Sequence, residues 1–439
     1  MEQHSPEKIL HYALKVAEQA EVFSTSSRQT SIHFEANKLK QVQTKEISSV
    51  ALRIFKDGRI GFAQASGIQD IEILVNMAVE TSQFGLPANF QLPSSRNYPQ
   101  VRTFDPQVDE IAMGKMLDLG HQLIAKVTDY APEILCDARV TKGTASIHIL
   151  NSQGGEVSYD KSPFGISMEG VMIQDTDMLF VGDSEGSCRS LADVDSLADS
   201  VIRQLEWAKE KATVPTKSLP VIFTPTGVAS AFLAPLAIAF NGKTVLEGVS
   251  PLKNRLGERL FDSELSLWDD ATIAYSLASS PCDDEGVSSQ QLPLIAGGVV
   301  SNFLYDLYTA ALAGTQSTGH GRRAGSSFPR PTISSLIIDE GDVSFHSMVE
   351  DIKEGLIVEQ LIGAEQGNLL SGDFSGNVLL GYKVENGKIV GRVKDTMVSG
   401  NVYQVLKEFL GIGNKARWVE GILYTPALYC PRISITTKD

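Results

Sequence analysis

The chain has 439 residues, with 38 Lys plus Arg against 53 Asp plus Glu and a formal net charge of −15. Hydrophobic residues at 42% and charged residues at 21% sit near the globular average, which excludes wholesale disorder. The acidic balance argues against a general nucleic-acid binder, because Lys and Arg carry the affinity for phosphates. A chain of this length predicts about two or three domains, with cores that need no disulfide or metal to hold them.

Taken in order, Ile9, Leu10, Ala13, Leu14, Ala17 and Ala20 recur at helical spacing behind Pro6, a first-turn proline. Residues 28–65 change to alternation, and Asp57-Gly58 between two apolar runs predicts a hairpin. Residues 71–84 read as helix, 85–106 as a linker, and 107–130 as a second helix. Short strands follow to Phe180, with a tight turn at Gly154-Gly155, and residues 191–212 are predicted helical. Residues 213–218 are short, polar and helix-breaking, and mark the best boundary in the chain.

Beyond it, residues 219–223 read as a buried strand, 228–240 as an apolar helix and 299–313 as another. From Ile333 onward the pattern is mostly strands, with a hairpin at Asn386-Gly387 and a helix over 402–410. Strands and helices come in runs and do not alternate, so the predicted class is α+β with largely antiparallel sheets. The halves are expected at 1–215 and 216–439. Cys136, Cys188, Cys282 and Cys430 are widely spaced, which suggests a reducing compartment. The N-terminus has no apolar signal region and no apolar run matches a bilayer, so a soluble, cytoplasmic protein with no membrane partner is expected.

Several motifs invite chemistry. Asn241-Gly242-Lys243-Thr244 imitates the end of a P-loop, but Ala237 stands where the first glycine belongs, inside a helical run. The segment from Gly319 through His320, Gly321, Arg322 and Arg323 to Ala324 fits a loose dinucleotide fingerprint. Pro329 and Pro331 leave no room for the helix that would receive a pyrophosphate, and the alternative is a flexible basic loop meeting an anion or carboxylate. Gly182-Asp183-Ser184-Glu185-Gly186 matches a nucleophile elbow, though two acids flank the serine. Seven histidines are scattered, with no two at helical pairing distance; a metal site would have to be assembled from distant residues, for example Cys430 with His320 or His346. The acidic pairs at Asp269-Asp270, Asp283-Asp284-Glu285 and Asp339-Glu340 sit beside turn residues and read as solvated loops.

The order of several segments resembles the TldD/PmbA family, also labelled modulators of DNA gyrase. Ser317-Thr318-Gly319-His320-Gly321-Arg322 is similar to that family's Ser-Thr-Gly-x-Gly loop. Glu340-Gly341-Asp342, Ile352-Lys353-Glu354-Gly355-Leu356, Gly363, Asn368 and Gly372-Asp373-Phe374-Ser375 follow in turn. Gly381-Tyr382, Asn386-Gly387-Lys388, Ser399-Gly400-Asn401 and Ile412-Gly413-Asn414 complete the series, and the hairpin around Asp57-Gly58 resembles the family's opening.

The resemblance implies zinc peptidase chemistry in the TldD branch, from an HExxxH helix that should fall near residues 227–240. Ala231, Phe232 and Leu236 stand roughly where His, Glu and His would be. That departure matches the PmbA branch, also called TldE, which pairs with a TldD subunit. The expectation is therefore a non-catalytic subunit with no metal or catalytic residue of its own, zinc residing in a TldD-like partner. It would act in proteolysis or maturation of unfolded or leader peptides. The loops Ser317–Arg322 and Gly372–Ser375 are the expected contacts to an extended peptide or to the partner, by backbone pairing at sheet edges. The alternatives are a homodimeric peptide-binding or interaction module, and an independent hydrolase built on Ser184 or on Cys430 with His320.

Overall fold

The computed structural model describes residues 5–67, 70–95, 97–175, 177–191 and 194–438. The first half begins with α1 (Pro6–Ala13), β1 (Gln19–Glu35), β2 (Lys38–Lys56), β3 (Arg59–Ala65) and α2 (Ile71–Ser82). It continues through α3 (Pro106–Glu110), α4 (Met113–Tyr130), β4 (Leu135–Asn151), β5 (Glu156–Lys161), β6 (Phe164–Gln174), β7 (Asp177–Ser187) and α5 (Asp195–Trp207). The strands form one seven-stranded antiparallel sheet in the order β3-β2-β1-β4-β6-β7, with β5 on β4. Asp57 and Gly58 both take positive φ, 50° and 72°, as the predicted two-residue hairpin turn demands.

Helices cover the sheet in two places. Ile9, Ala13, Leu74, Val75 and Ala78 of α1 and α2 pack on Val22, Leu52 and Ile54. Leu119 and Leu123 of α4 and Leu197, Val201 and Leu205 of α5 pack on Ile32, Phe34, Val140 and Ile166. Gly120 lets α4 approach this closely, because a Cβ there would lie 2.2 Å from the Phe34 ring.

The predicted 107–130 helix is broken at Ile111, whose ψ of 114° is extended. Lys142 Nζ donates to the carbonyls of Asp109 and Ile111 at 2.6 and 2.7 Å and so stabilises the break. The 191–212 helix spans only Asp195–Trp207 within the described residues, and residues 192–193 lie outside them. Its expected end is instead a strand, drawn off by pairing with the second half.

That half contains β8 (Lys211–Ala212), β9 (Lys217–Phe223), α6 (Pro225–Ala239), α7 (Gly242–Leu246), β10 (Leu267–Asp270), β11 (Gln291–Ala296), β12 (Val299–Val300) and α8 (Leu307–Ala313). Then come β13 (Gly321–Arg322), β14 (Arg330–Pro331), β15 (Leu336–Ile338), α9 (Phe345–Asp351), β16 (Glu354–Ile362) and β17 (Asp373–Glu385). The chain ends with β18 (Lys388–Val393), β19 (Thr396–Asn401), α10 (Val402–Val405), β20 (Gly411–Val419) and β21 (Leu423–Thr437). Twelve strands form the main sheet, ordered β12-β11-β10-β15-β21-β9-β16-β17-β18-β8, with β19 and β20 attached. Most pairs are antiparallel; β15 with β21, β9 with β16 and β8 with β18 are parallel.

Where residues 299–313 read as one helix, Val299–Val300 is a strand and the helix starts at Leu307. There Asp306 and Thr309 form a reciprocal capping box that fixes the start. The 402–410 helix shrinks to one turn. The α+β class holds as predicted. Helices α4 and α5 lie between the two sheets, since their apolar faces share a core with Ile222, Ile357, Tyr382 and Tyr429 of the second sheet. Tyr382 donates its hydroxyl to the Gln204 carbonyl at 3.2 Å across that junction.

Candidate functional site

The Ser317–Arg322 loop leaves α8 through Gly314, which is left-handed at φ 65°. Ser317 Oγ donates to the Tyr305 carbonyl at 3.0 Å, and the Tyr305 N–H donates to Thr318 Oγ1 at 2.8 Å. His320, only 1% exposed, has Nδ1 2.9 Å from Thr318 Oγ1 and Nε2 3.0 Å from Asp269 Oδ1. The other Asp269 oxygen accepts the Ser334 N–H at 2.7 Å. Hydroxyl, imidazole and carboxylate thus line up, but His320 and Asp269 are sealed inside and the hydroxyl already serves Tyr305. The row positions the loop; a nucleophile needs access to a substrate.

Gly321 donates its N–H to Asp283 Oδ2 at 2.8 Å, and a Cβ on it would lie 2.3 Å from Glu285 Oε2. Arg322 reaches Ser280 Oγ at 2.9 Å and Asp284 at 3.7 Å. The loop expected to be flexible is therefore clamped, and the carboxylates it meets are the protein's own.

Around that clamp lies a buried ion-pair core joining the two halves. Arg53 on β2 donates to Glu21 on β1 and to Glu285, each at 2.5 Å, and Arg323 donates to the other Glu21 oxygen at 2.5 Å. Phe90 and Phe328 flank the Arg53 guanidinium at 5.2 and 5.9 Å, and Phe23 and Phe62 flank Arg323 at similar distances. Burial opposes the charge on Arg53, but Glu21 and Glu285 outweigh it and raise its pKa. Burial pushes the Glu285 carboxyl up to about 7 against the pull of Arg53. Asp283 is raised by burial and then by the charge of Glu285. The acidic run read as a solvated loop is, at Asp283 and Glu285, fully buried. Arg53 lies 32 and 232 positions from Glu21 and Glu285, and Arg323 302 from Glu21, so no local window signalled this pairing.

Helix α6 occupies the position where the resemblance puts a zinc-binding helix. Thr224 caps it, accepting the Gly227 N–H at 3.3 Å. Ala231, Phe232 and Leu236 are buried, and Phe232 packs on Phe223 and Phe374 with ring centroids 5.0 and 5.8 Å apart. Cys430 is buried in the same core; its thiol is pushed up by burial, and among the described residues its hydrogen-bond partner is the Leu428 carbonyl, at 3.9 Å. His346 lies apart at the surface, paired with Glu350 at 3.2 Å. Among the described residues no group of three or more His, Cys, Asp or Glu is placed to hold a metal ion. A zinc ion does not fit the residues of α6.

The Gly372–Ser375 segment runs beside α6. Gly372, at φ 82°, backs onto the Tyr403 ring, and Phe374 belongs to the α6 core. Asp373 accepts from Asn401 Nδ2 at 2.8 Å and Ser371 Oγ at 2.6 Å, bonds that hold its carboxyl below the usual range. Ser375 is exposed. The structure does not bring this segment and the Ser317–Arg322 loop into one pocket.

Ser184 lies within β7, paired to Ser167, and not at a strand-to-helix turn, so the elbow reading is corrected: the sequence pattern matches but the backbone does not. Its neighbour Asp183 takes a two-pronged contact from Arg417 at 2.8 and 3.1 Å, and Arg417 also donates to Thr226 Oγ1 at 2.7 Å on the first turn of α6. Ser184 borders a cleft of about 550 Å³ between β7 and β20, with Tyr275, Trp418 and Tyr424 on its walls. The sequence did not mark this cleft, because its walls come from distant segments.

Residues 216–437 match the PmbA/TldA metallopeptidase C-terminal domain, and residues 20–82 match domain 1 of that family. An uncharacterized protein of Methanocaldococcus jannaschii is 26% identical over 96% of this chain and 97% of its own length. A metalloprotease of Methanothermobacter thermautotrophicus is 26% identical over 91% and 89%. The fold is that of TldE from Thermococcus kodakarensis, with a TM-score of 0.89 and 22% identity over 98% of this chain and 99% of that one. No helix among the described residues is long and apolar enough to cross a membrane. With half of its length matched by one domain of the family and its hairpin region by another, the chain belongs to the PmbA/TldD metallopeptidase family.

Proposed function

We propose that this chain is a PmbA/TldE-type subunit that carries no zinc and performs no hydrolysis itself. It works beside a TldD-type partner on unfolded or leader peptides. The observation that carries the reading is α6: its Ala231, Phe232 and Leu236 face an aromatic core, where a metallopeptidase needs imidazoles and a carboxylate to bind zinc and activate water. The likeness of the fold to TldE supports the same branch. The partner supplies metal and base, and this chain supplies sheet edges and walls of the peptide path. The Ser317–Arg322 loop supports that path from within: Gly321 bonds Asp283, beside Glu285, and the following Arg323 and Glu285 hold the second half against Glu21 and Arg53.

The test is metal analysis and peptide cleavage by the purified chain, alone and mixed with a TldD-type chain that carries the HExxxH helix. Substoichiometric zinc and no cleavage alone, with chelator-sensitive cleavage on mixing, is the expected result. Stoichiometric zinc with chelator-sensitive cleavage by this chain alone overturns the reading.

A further inference from the structure

The cleft between β7 and β20 holds chemistry that neither the ion-pair core nor α6 uses. Its floor is the outer edge of β7, with which no strand pairs among the described residues. Gln204 satisfies Gly182 on that edge, accepting its N–H at 2.9 Å and donating to its carbonyl at 3.0 Å. Groups two residues apart on a strand point the same way, so those of Ser184 and Gly186 also face outward. Asp183 takes the Ser184 N–H at 2.8 Å, and among the described residues the Ser184 carbonyl and both groups of Gly186 are left for an incoming chain.

Arg102, Arg139 and Arg189 stand in the walls of this cleft and of its 190 Å³ extension, which shares Ser184, Gly186 and Trp418 with it. All three are exposed, and among the described residues no carboxylate pairs with any of these guanidinium groups. Arg417, by contrast, is taken up by Asp183 and Thr226. Trp418 and Tyr424, with centroids 5.3 Å apart, form an aromatic wall. In a chain of net charge −15, three unpaired arginines around an open strand edge are a local reversal of sign.

We propose that this cleft binds an extended acidic peptide segment, added as a strand to the β7 edge, with its carboxylates paired to Arg102, Arg139 and Arg189. The inference rests on the peptide-handling reading above and adds a charge preference to it. A nucleic acid fits less well. Its phosphates follow one another without a break, past Glu185 and Glu420 in the same cleft, and its backbone offers no matching N–H and C=O. A peptide supplies both the backbone partners and carboxylates on one face at alternate positions.

The experiment is fluorescence anisotropy of the full chain with a labelled peptide alternating Glu and Val, its Gln and Lys counterparts, and a single-stranded oligonucleotide of equal length. The Glu peptide is expected to bind most tightly, the Gln peptide more weakly and the Lys peptide not at all, with affinity falling as salt rises. Arg102→Glu and Arg189→Glu should each weaken the Glu peptide by about 3- to 5-fold, the scale of an exposed ion pair. Lys38→Glu, on β2 at the other side of the same sheet, should leave it unchanged. Equal affinity for the Glu and Gln peptides, arginine variants without effect, or tighter binding of the oligonucleotide would each overturn the proposal. Binding here needs neither zinc nor a partner. Its failure therefore leaves the subunit reading standing, while zinc in the isolated chain would sink that reading and not this one.

Discussion

Replacing Glu285 by Gln should change how stability depends on pH more than it changes stability itself. Glu285 is fully buried and its carboxyl is raised from 4.5 to about 7. A raised carboxyl means that the folded chain binds more proton than the unfolded chain between those two values. Stability from this group is thus fully present below pH 4.5 and is lost as pH rises through 7. A shift of that size is worth about 3 kcal/mol in total, with a steepest slope of about 1.4 kcal/mol per pH unit. For a chain of this size about 3 kcal/mol corresponds to a fall in Tm of roughly 3–6 °C. Thermal unfolding of wild type and Glu285→Gln from pH 5 to pH 8 measures it. The wild type should lose stability across the window and the variant should lose much less. Asp283, raised partly by the charge of Glu285, moves back toward its ordinary value in the variant, which flattens the slope further. An unchanged slope in Glu285→Gln would refute the assignment of the proton to this site.

Phe232→Ala should cost about 3–5 kcal/mol in denaturant unfolding, since it empties the centre of the cluster with Phe223 and Phe374; a loss under 1 kcal/mol would mean the site collapses freely. Arg53→Met leaves Glu21 and Glu285 buried without their shared cation and should cost about 3–5 kcal/mol at neutral pH, less at pH 5, where Glu285 is neutral. Gly321→Ala should lower Tm, because its Cβ would strike the Glu285 carboxylate at 2.3 Å, whereas Gly58→Ala meets no atom and suffers only from its positive φ. Ser184→Ala should leave any peptide turnover by the reconstituted pair unchanged, measured by cleavage rate.

The fold was legible where local chemistry decides conformation. Asp57-Gly58 and Asn386-Gly387 both form their predicted turns, since positive φ is cheap at those residues and the flanking runs alternate. Errors came where a distant partner decides. Lys142 breaks a helix more than thirty residues earlier in the chain, and Arg392–Val393 draws Lys211–Ala212 out of a helical run into a strand. The site followed the same division. The apolar character of α6 could be read from Ala231, Phe232 and Leu236 directly, but the acids at 283–285 looked like a surface turn. Their burial depends on Arg53, 232 residues from Glu285, which no window on the sequence can pair with them.

These two regions answer different physical demands. A helix that carries zinc must aim polar side chains at an accessible wall, and each of those groups costs free energy if left buried without a partner. In α6 the corresponding face is in the core, with Phe232 at 0% exposure, so restoring ligands there would mean placing a carboxylate and two imidazoles among Phe223, Phe374 and Cys430. The ion-pair core makes the opposite choice, keeping buried charge at the seam between the halves and satisfying it with two arginines. Buried pairs of this kind add little net stability over apolar packing, but they penalise any arrangement that separates the partners. Charge at the seam therefore specifies how residues 285 and 323 of the second half meet β1 and β2 of the first. On the subunit reading, the docking of the two halves matters more to this chain than chemistry at α6.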